Sequence, residues 1–304
     1  MSATDVPDLV DLRTTLAAVP VARDVVRVGG PEAIGYLQGQ VSQEVESLEV
    51  GASAWTFVLQ PTGKVDAWAR LSRLPGDELV LDVDGGSGER LVARLRRFLL
   101  RTKAEIEPLA WTCVALRGPD AAAAARGIAG DAAVTVQAPA GWPGVEGVDL
   151  LGPDVRLPDG MATAGAEDYE SLRIRSGVPA MGAELTERTI PAEVGQWVVD
   201  ASVDFAKGCF TGQELVARID SRGGNVPHRL RGLVVPAGER PPVDVPVVVE
   251  GAEVGRVTSV ARAPAGGHVA LASVRRAVTP PVAVELALPG GGVLPATLVD
   301  VPVD

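Results

Sequence analysis

The pattern of apolar residues changes late in this chain of 304 residues. Up to about residue 222, strand-like apolar runs alternate with helical periodicity, as in Leu91, Leu95 and Leu99. After Leu230 the chain holds short β-prone runs separated by glycine and proline, at 233–235, 245–249, 254–260, 269–274 and 282–286. The first pattern predicts the α+β class, and the second predicts a small barrel or sandwich. We therefore expect an α+β body over 1–222 and a C-terminal β-barrel domain over 223–304.

Three local patterns refine the α+β body. The runs 54–59 and 65–71, separated by Pro-Thr-Gly-Lys at 61–64, predict a β-hairpin. Residues 167–176 predict a helix that ends at Gly177. Residues 138–160 are crowded with proline and glycine, so we interpret them as a connecting loop or an irregular excursion.

The charge balance restricts the classes of partner. Acidic residues outnumber basic ones, 39 against 28, which gives a formal net charge of -11. This excess opposes non-specific attraction to phosphate backbones and anionic membranes. The cations between Arg90 and Lys103 are therefore interpreted as a solvated helix face rather than an RNA site. No apolar run approaches the roughly 18 residues of a membrane span, and we expect a cytoplasmic protein with neither membrane nor nucleic acid as a partner.

The cysteine and histidine content argues against a resident metal. The chain contains only Cys113, Cys209, His228 and His268, without a C-x-x-C pair. We expect neither a self-contained metal site nor a disulfide framework. Cys113 lies in an apolar strand-like run, which indicates a core position.

The segment K-G-C-F-T-G-Q-E at 207–214 carries the most information about function. Thr211 and Glu214 have the spacing of a capping box, which predicts that a helix begins here. Cys209 would then lie just before a helix N-terminus and near Lys207, where both positive charges favour thiolate over thiol. The alternative is that Cys209 packs between domains and that the glycines only shape a turn.

The same segment resembles the K-G-C-[YF]-x-G-Q-E signature of YgfZ-type proteins, folate-binding relatives of the glycine-cleavage T-protein (GcvT). Other family motifs follow in order and extend the resemblance from about residue 25 to residue 277. They are Y-L-Q-G-Q at 36–40, P-x-G-K at 61–64, L-R-I-x-x-G-x-P at 172–179, G-x-V-T-S at 255–259 and A-L-A-x-V at 270–274.

The resemblance implies a GcvT-like folate-binding body of two intertwined subdomains with a central opening, followed by the small β-barrel. It implies tetrahydrofolate as cofactor and an accessory role in assembly or repair of iron–sulfur clusters. The expected partners are folate and iron–sulfur client proteins or assembly factors, and the expected state is a monomer. The alternative is a folate-dependent aminomethyltransferase of the T-protein type, so whether the chain is an enzyme stays open.

The resemblance also implies the site residues. Cys209 and Asp66 would be the catalytic residues, Cys209 at the mouth of the pterin cleft and Asp66 as the carboxylate near the reactive folate nitrogen. Cys209 could accept a persulfide, ligate a cluster transiently or position a one-carbon unit, and Asp66 could instead be an outward strand residue. The folate-binding residues would be Gln40, Asp66, Arg175, Lys207, Gly208, Phe210, Gln213 and Glu214.

Arg175 departs from the T-protein pattern. T-proteins carry an acidic residue at this point after L-R-[LI], and it hydrogen-bonds the pterin. A guanidinium has no acceptor, so the same contact is impossible. Arg175 would instead meet the glutamate tail of folate.

Overall fold

The structure is a computed structural model that describes residues 8–128 and 130–303. The strands are Ala17–Val21 (β1), Arg23–Gly29 (β2), Ser53–Leu59 (β3), Val65–Leu74 (β4), Glu78–Asp84 (β5), Glu105–Leu109 (β6), Thr112–Arg117 (β7), Val136–Pro139 (β8), Gly147–Gly152 (β9), His228–Val235 (β10), Pro246–Val249 (β11), Ala252–Arg262 (β12), His268–Arg275 (β13), Val282–Ala287 (β14) and Val293–Val299 (β15). The α-helices are Ala33–Gln40 (α1), Gly88–Arg97 (α2), Ala121–Gly127 (α3), Ala166–Arg175 (α4), Gln196–Ser202 (α5) and Gln213–Asp220 (α6).

A five-stranded antiparallel sheet forms the first half of the body, in the order β3-β4-β5-β2-β6. The predicted hairpin is confirmed as β3 and β4. On one face of the sheet, Leu37 of α1 and Leu91 and Leu95 of α2 are buried against apolar strand residues. The helical periodicity of α2 therefore has its physical origin in burial of one face, at roughly 1.5 to 3 kcal/mol per fully buried leucine.

A four-stranded antiparallel sheet forms the second half, in the order β1-β7-β9-β8. The interpretation of 138–160 as a loop is wrong, because this range contains the end of β8 and the whole of β9. Val148 and Leu150 of β9 pack with Leu116 of β7 in a buried cluster. The prolines and glycines lie mainly in the turn between the two strands and in the segment that follows β9.

The C-terminal strands close into the expected barrel, in the order β10-β13-β12-β11-β14-β15. Alternate residues such as Leu233, Val247 and Leu298 fill its interior. A larger apolar cluster joins residues of both body sheets, including Phe57 and Ala115, to Leu271 of the barrel. Barrel and body thus share a core. No helix among residues 8–128 and 130–303 is long and apolar enough to cross a membrane.

Helix α4 connects these parts. The predicted helix is confirmed within one residue, and the chain leaves it at Gly177 with φ of +67°. A Cβ at Gly177 would lie 2.6 Å from Cβ of Val301, so only glycine allows the C-terminal segment to approach this closely. The next residues, 178–181, run from α4 along the wall of a cavity between the two sheets.

Candidate functional site

A cavity of about 310 Å³, here called the central cavity, lies between the two sheets of the body. Both sheets, α4 and segment 178–181 contribute to its wall. Its aromatic lining residues are Trp55, Trp68, Trp142 and Tyr169. The rings of Trp55 and Trp68 stack with centroids 4.1 Å apart, and those of Trp142 and Tyr169 lie 5.3 Å apart. Such walls favour a flat ring, which can stack against them.

A chain of buried ion pairs supports one side of the central cavity. Asp149 forms ion pairs with Arg70 and Arg117, each with an N–O distance of 2.7 Å. Arg70 also pairs with Asp82, and Asp82 pairs with Arg23, which lines the cavity. Burial by itself raises the pKa of Asp149, but Arg117 and Arg70 outweigh it and hold that pKa well below its usual range. The carboxylate is therefore ionised.

These charged residues were missed by the sequence interpretation. Arg70, Asp82 and Asp149 each lie inside an otherwise apolar strand run. A charge at a core-facing strand position is rare unless it is paired, and that was the signal available in the sequence. The identity of each partner was not readable, because Arg70 and Asp149 are separated by 79 residues.

Two carboxylates of the lining keep spare acceptor capacity. The side chains of Asp84 and Glu170 are 33% and 37% exposed, whereas their partners Arg23 and Arg173 are 8% and 7% exposed. An ionised carboxylate has about four acceptor positions, and these ion pairs use only some of them. The cavity therefore offers a ligand hydrogen-bond acceptors beside aromatic rings, and its cations are already engaged.

The K-G-C segment lies against the C-terminal end of α1. The Lys207 ammonium group is buried and donates to the carbonyl oxygens of Gln38, Val41 and Gln43 at 2.8, 2.8 and 2.7 Å. Burial lowers the pKa of Lys207 to about 8, although Glu44 and Asp204 oppose the shift. The Gln38 carbonyl belongs to the last turn of α1, where carbonyl groups lack partners within the helix, and the Val41 and Gln43 carbonyls follow shortly after the helix ends. Lys207 thus anchors this loop to α1.

Replacing Lys207 with methionine removes three donors from three carbonyl groups. We expect the free energy of unfolding to fall by about 2 kcal/mol, since buried groups without partners are costly. Lys103→Met changes an exposed lysine and is the matched control, with an expected effect within about 0.5 kcal/mol. Urea denaturation of both variants measures the difference. Equal stability of the two would contradict the anchoring role.

The helix after Cys209 begins later than predicted. Helix α6 starts at Gln213 with Gly212 as N-cap, so the capping-box prediction is wrong. The Thr211 backbone N–H donates instead to the Gly39 carbonyl oxygen at 3.1 Å, and its hydroxyl points to the same oxygen. Gly212 has φ of +83° and packs against the tip of the β3–β4 hairpin. This close contact takes the place of a side-chain cap.

The predicted residues of the K-G-C segment differ in exposure. Cys209 and Gly208 are exposed, and a Cβ at Gly208 would meet no atom within 4 Å. Phe210 is buried in the large shared core, with the Lys207 nitrogen 5.3 Å from its ring centroid. Gln213 is partly exposed and Glu214 is exposed, both in the first turn of α6.

Asp66 faces helix α2. Its carboxylate pairs with Arg90 at 3.2 Å and Arg94 at 3.1 Å. Arg94 also donates to the side chain of Gln40 at 3.1 Å, so Gln40 and Asp66 meet at one guanidinium group. The register shifts between Val58 and Leu59, which places Asp66 toward α2 while Trp68 lines the central cavity.

Arg175 lies elsewhere. Its guanidinium pairs with Asp11 at 2.8 Å, whereas Arg173, two residues earlier, lines the central cavity. Residues two apart on a helix are about 200° apart around the axis, so they point in opposite directions. The structure thus brings Gln40, Asp66 and the K-G-C segment together around α1 and leaves Arg175 apart from them.

The predicted site residues and the central cavity occupy different places. None of the residues predicted from the resemblance is among those lining the central cavity. Gly212 touches the tip of the β3–β4 hairpin, whereas Trp55 enters the cavity from the start of β3. Within the part of the chain that the structure describes, no three metal-ligating side chains of His, Cys, Asp or Glu cluster together.

The chain is similar in sequence to several known proteins, although no family model matches it. An uncharacterized protein of Haemophilus influenzae is 24% identical over 66% of this chain and 67% of its own length. A mitochondrial iron–sulfur cluster assembly factor of Mycosarcoma maydis is 27% identical over 76% of this chain, and the match spans only 60% of the fungal protein. An aminomethyltransferase of Thermus thermophilus is 29% identical over 90% of this chain and 83% of its own length.

The fold has a solved counterpart. The crystal structure of the glycine cleavage system aminomethyltransferase T of Bartonella henselae superposes with a TM-score of 0.75 at 20% identity, over 96% of this chain and 87% of that one. The fold expected from the sequence motifs is thus confirmed. The GcvT fold, its C-terminal barrel and these relatives together fit a YgfZ-type member of the GcvT superfamily.

Proposed function

We propose that this protein binds tetrahydrofolate in the central cavity and supports assembly or repair of iron–sulfur clusters in client enzymes. The observation that carries the proposal is the central cavity itself, lined by four aromatic rings and two partly exposed carboxylates. A protein with the same fold is an aminomethyltransferase of glycine cleavage, and a relative with 27% identity is an iron–sulfur cluster assembly factor.

The lining fits the chemistry of a pterin. A pterin is flat and presents several N–H donors along one edge, which suits stacking walls beside carboxylate acceptors. Trp142 and Tyr169 would hold the ring, and Glu170 or Asp84 would accept from its N–H groups. A volume of about 310 Å³ lies at the lower end of the range of roughly 300 to 1,000 Å³ for ligand pockets. When bound, tetrahydrofolate supplies the nitrogen atoms that carry a one-carbon unit.

Cys209 is proposed as the residue that meets a protein partner. Its side chain is exposed, and the open space at Gly208 allows another surface to approach the backbone closely. The Lys207 anchor holds this loop against α1, so the thiol has a defined position on the surface. Folate and the thiol are thereby assigned to separate regions of the protein.

Titration with tetrahydrofolate tests the ligand. We expect saturable quenching of tryptophan fluorescence, because three tryptophans line the central cavity. Trp142→Leu removes one stacking wall and should weaken binding about tenfold, equivalent to about 1.4 kcal/mol. Trp111→Phe is the matched control, since Trp111 lines a separate groove beside β6, and it should bind as the wild type does. If tryptophan fluorescence showed no saturable change at millimolar folate, the proposal that the protein binds folate would be wrong.

Complementation tests the role of Cys209. In a strain that lacks its own YgfZ-type protein, we expect rescue by the wild type and loss of rescue with Cys209→Ala. Cys113→Ala removes the other thiol and should still rescue, because Cys113 is buried and burial raises the pKa of its thiol far above neutrality. If Cys209→Ala rescued as well as the wild type, the thiol would have no part in the function.

A second candidate is a folate-dependent aminomethyltransferase. It is favoured by the 29% identity with the Thermus thermophilus aminomethyltransferase over 90% of this chain. The pairing of Asp66 with Arg90 and Arg94, outside the central cavity, counts against Asp66 as its chemical residue. Rescue of a strain lacking its glycine-cleavage T-protein by wild type but not by Asp66→Asn would favour this candidate.

A further inference from the structure

The side chain of Glu184 lies where the wall of the central cavity meets the barrel, and it is only 1% exposed. One carboxylate oxygen accepts from the hydroxyl groups of Thr258 and Ser259 on β12, both at 2.6 Å. The other accepts from the Ala180 backbone N–H at 2.9 Å and from Arg173 at 3.1 Å. Two donors from the barrel and two from the body thus fill the acceptor positions of one buried carboxylate.

Arg173 forms the second link between barrel and body in this network. Its guanidinium donates to the carbonyl oxygen of Val178 at 2.6 Å, to the hydroxyl oxygen of Ser259 at 2.7 Å and to both carboxylate oxygens of Glu170. Burial by itself lowers the pKa of Arg173, but attraction by Glu184 and Glu170 outweighs it and raises the pKa above its ordinary value. The guanidinium group is therefore a permanent cation in this network.

The network holds a segment that lines the central cavity. Within 178–181, Arg173 holds the Val178 carbonyl and Glu184 holds the Ala180 N–H, while the Met181 N–H donates to Asp84 at 2.9 Å. All four residues of this segment line the cavity, as do Arg173 and Glu170. Thr258 and Ser259 do not line it.

We propose that Thr258 and Ser259 are positioning residues of the central cavity, acting on segment 178–181 through Glu184 and Arg173. Loss of the two hydroxyl groups would leave Glu184 with half of its donors and remove one acceptor from Arg173. A partly satisfied buried network is costly and rearranges, so the bonds to Val178 and Ala180 would loosen. The identity of the cavity's ligand rests on the proposed function, but the hold on segment 178–181 does not.

A second hydrogen bond between barrel and body provides a matched control. It separates the effect of weaker attachment of the barrel from the effect of losing the bonds to Glu184. The Ser171 hydroxyl on α4 donates to the carbonyl oxygen of Arg262 on β12 at 2.7 Å, which is also a bond between body and barrel. This bond involves neither Glu184 nor segment 178–181. Ser171→Ala therefore weakens the attachment without disturbing the network.

The experiment compares the full-length wild type with Thr258→Val/Ser259→Ala, the conservative Thr258→Ser, and Ser171→Ala. Hydrogen exchange is measured by mass spectrometry on a peptide that spans 178–185, and the tetrahydrofolate Kd is measured by tryptophan fluorescence. For the double variant we expect exchange of this peptide to rise about tenfold and the Kd to increase about tenfold. Thr258→Ser should keep both within about threefold, and Ser171→Ala should change neither, whatever its effect on Tm.

Each outcome decides the proposal. Unchanged exchange in the double variant would overturn it. If the wild type binds tetrahydrofolate and the double variant shows faster exchange with an unchanged Kd, the hydroxyl groups have only a structural role, and this result would also overturn the proposal. If the wild type does not bind, the ligand proposal fails separately, and the exchange result alone decides whether the hydroxyl groups hold the segment. If the double variant does not fold, Thr258→Val alone is measured in the same way.

Discussion

Replacement of Asp149 with alanine is expected to lower the free energy of unfolding by about 3 to 5 kcal/mol. Asp149 lies between Arg70 and Arg117, whose side chains are 1% and 0% exposed. Without this carboxylate, Arg117 loses its carboxylate partner, and Arg70 keeps the carboxylate of Asp82. A buried guanidinium group without a counter-charge is far more costly than the loss of an exposed ion pair.

Asp154→Ala is the matched control, because Asp154 and its partner Arg156 are both largely exposed. Its expected effect is within about 1 kcal/mol. Guanidinium denaturation of both variants at pH 7 gives the comparison. If Asp149→Ala were as stable as Asp154→Ala, the ion-pair chain would not be a major support of the central cavity.

The same carboxylate predicts the response to acid. In the folded state the pKa of Asp149 lies below its unfolded value of about 3.9, so the unfolded chain binds more protons in acid. The stabilisation from ionised Asp149 is therefore complete well above pH 4 and is lost as the pH falls below it toward the folded pKa. The wild type should lose more stability than Asp149→Ala between pH 5 and pH 3, as denaturation at each pH would show.

Gly212→Ala is expected to destabilise the protein by about 3 kcal/mol and to displace the loop that carries Cys209. The residue has φ of +83°, which costs an alanine roughly 1 to 2 kcal/mol. An added Cβ would also lie 2.6 Å from the carbonyl oxygen of Gln60 and 2.8 Å from Cβ of Leu59. Both contacts are with the β3–β4 hairpin, which cannot move without disturbing the buried core.

Gly208→Ala is the control within the same segment. Its added Cβ meets no atom within 4 Å, and its φ is not in the left-handed region, so we expect a change within about 0.5 kcal/mol. Urea denaturation measures stability, and the alkylation rate of Cys209 reports the position of the loop. Similar behaviour of the two variants would show that the glycine contact does not hold the loop.

If Gly208→Ala folds normally but fails to rescue the deletion strain, that glycine serves the approach of a partner rather than the fold. This outcome would agree with the proposed role of the exposed surface at Cys209. Rescue equal to the wild type would place the partner contact elsewhere.

The architecture was readable from local patterns. The Pro-Thr-Gly-Lys turn predicted the hairpin, the apolar spacing of Leu91 and Leu95 predicted α2, and the short runs after Leu230 predicted the barrel. Each single run or turn among these signals is short and reflects burial of one face or a turn geometry. Strand β9 was not predicted, because flanking glycine and proline concealed a strand that pairs with β7.

The candidate functional surfaces depended on contacts between distant residues. A register shift beside Leu59 turned Asp66 toward α2, and the helical rotation of α4 placed Arg173 rather than Arg175 at the central cavity. Asp149 is 79 residues from its partner Arg70, and Ser259 is 75 residues from its partner Glu184. Local sequence specifies which elements form because their energetics are local. Which side chains meet depends on tertiary packing. A buried charge costs too much free energy unless the folded structure places a partner of opposite charge beside it.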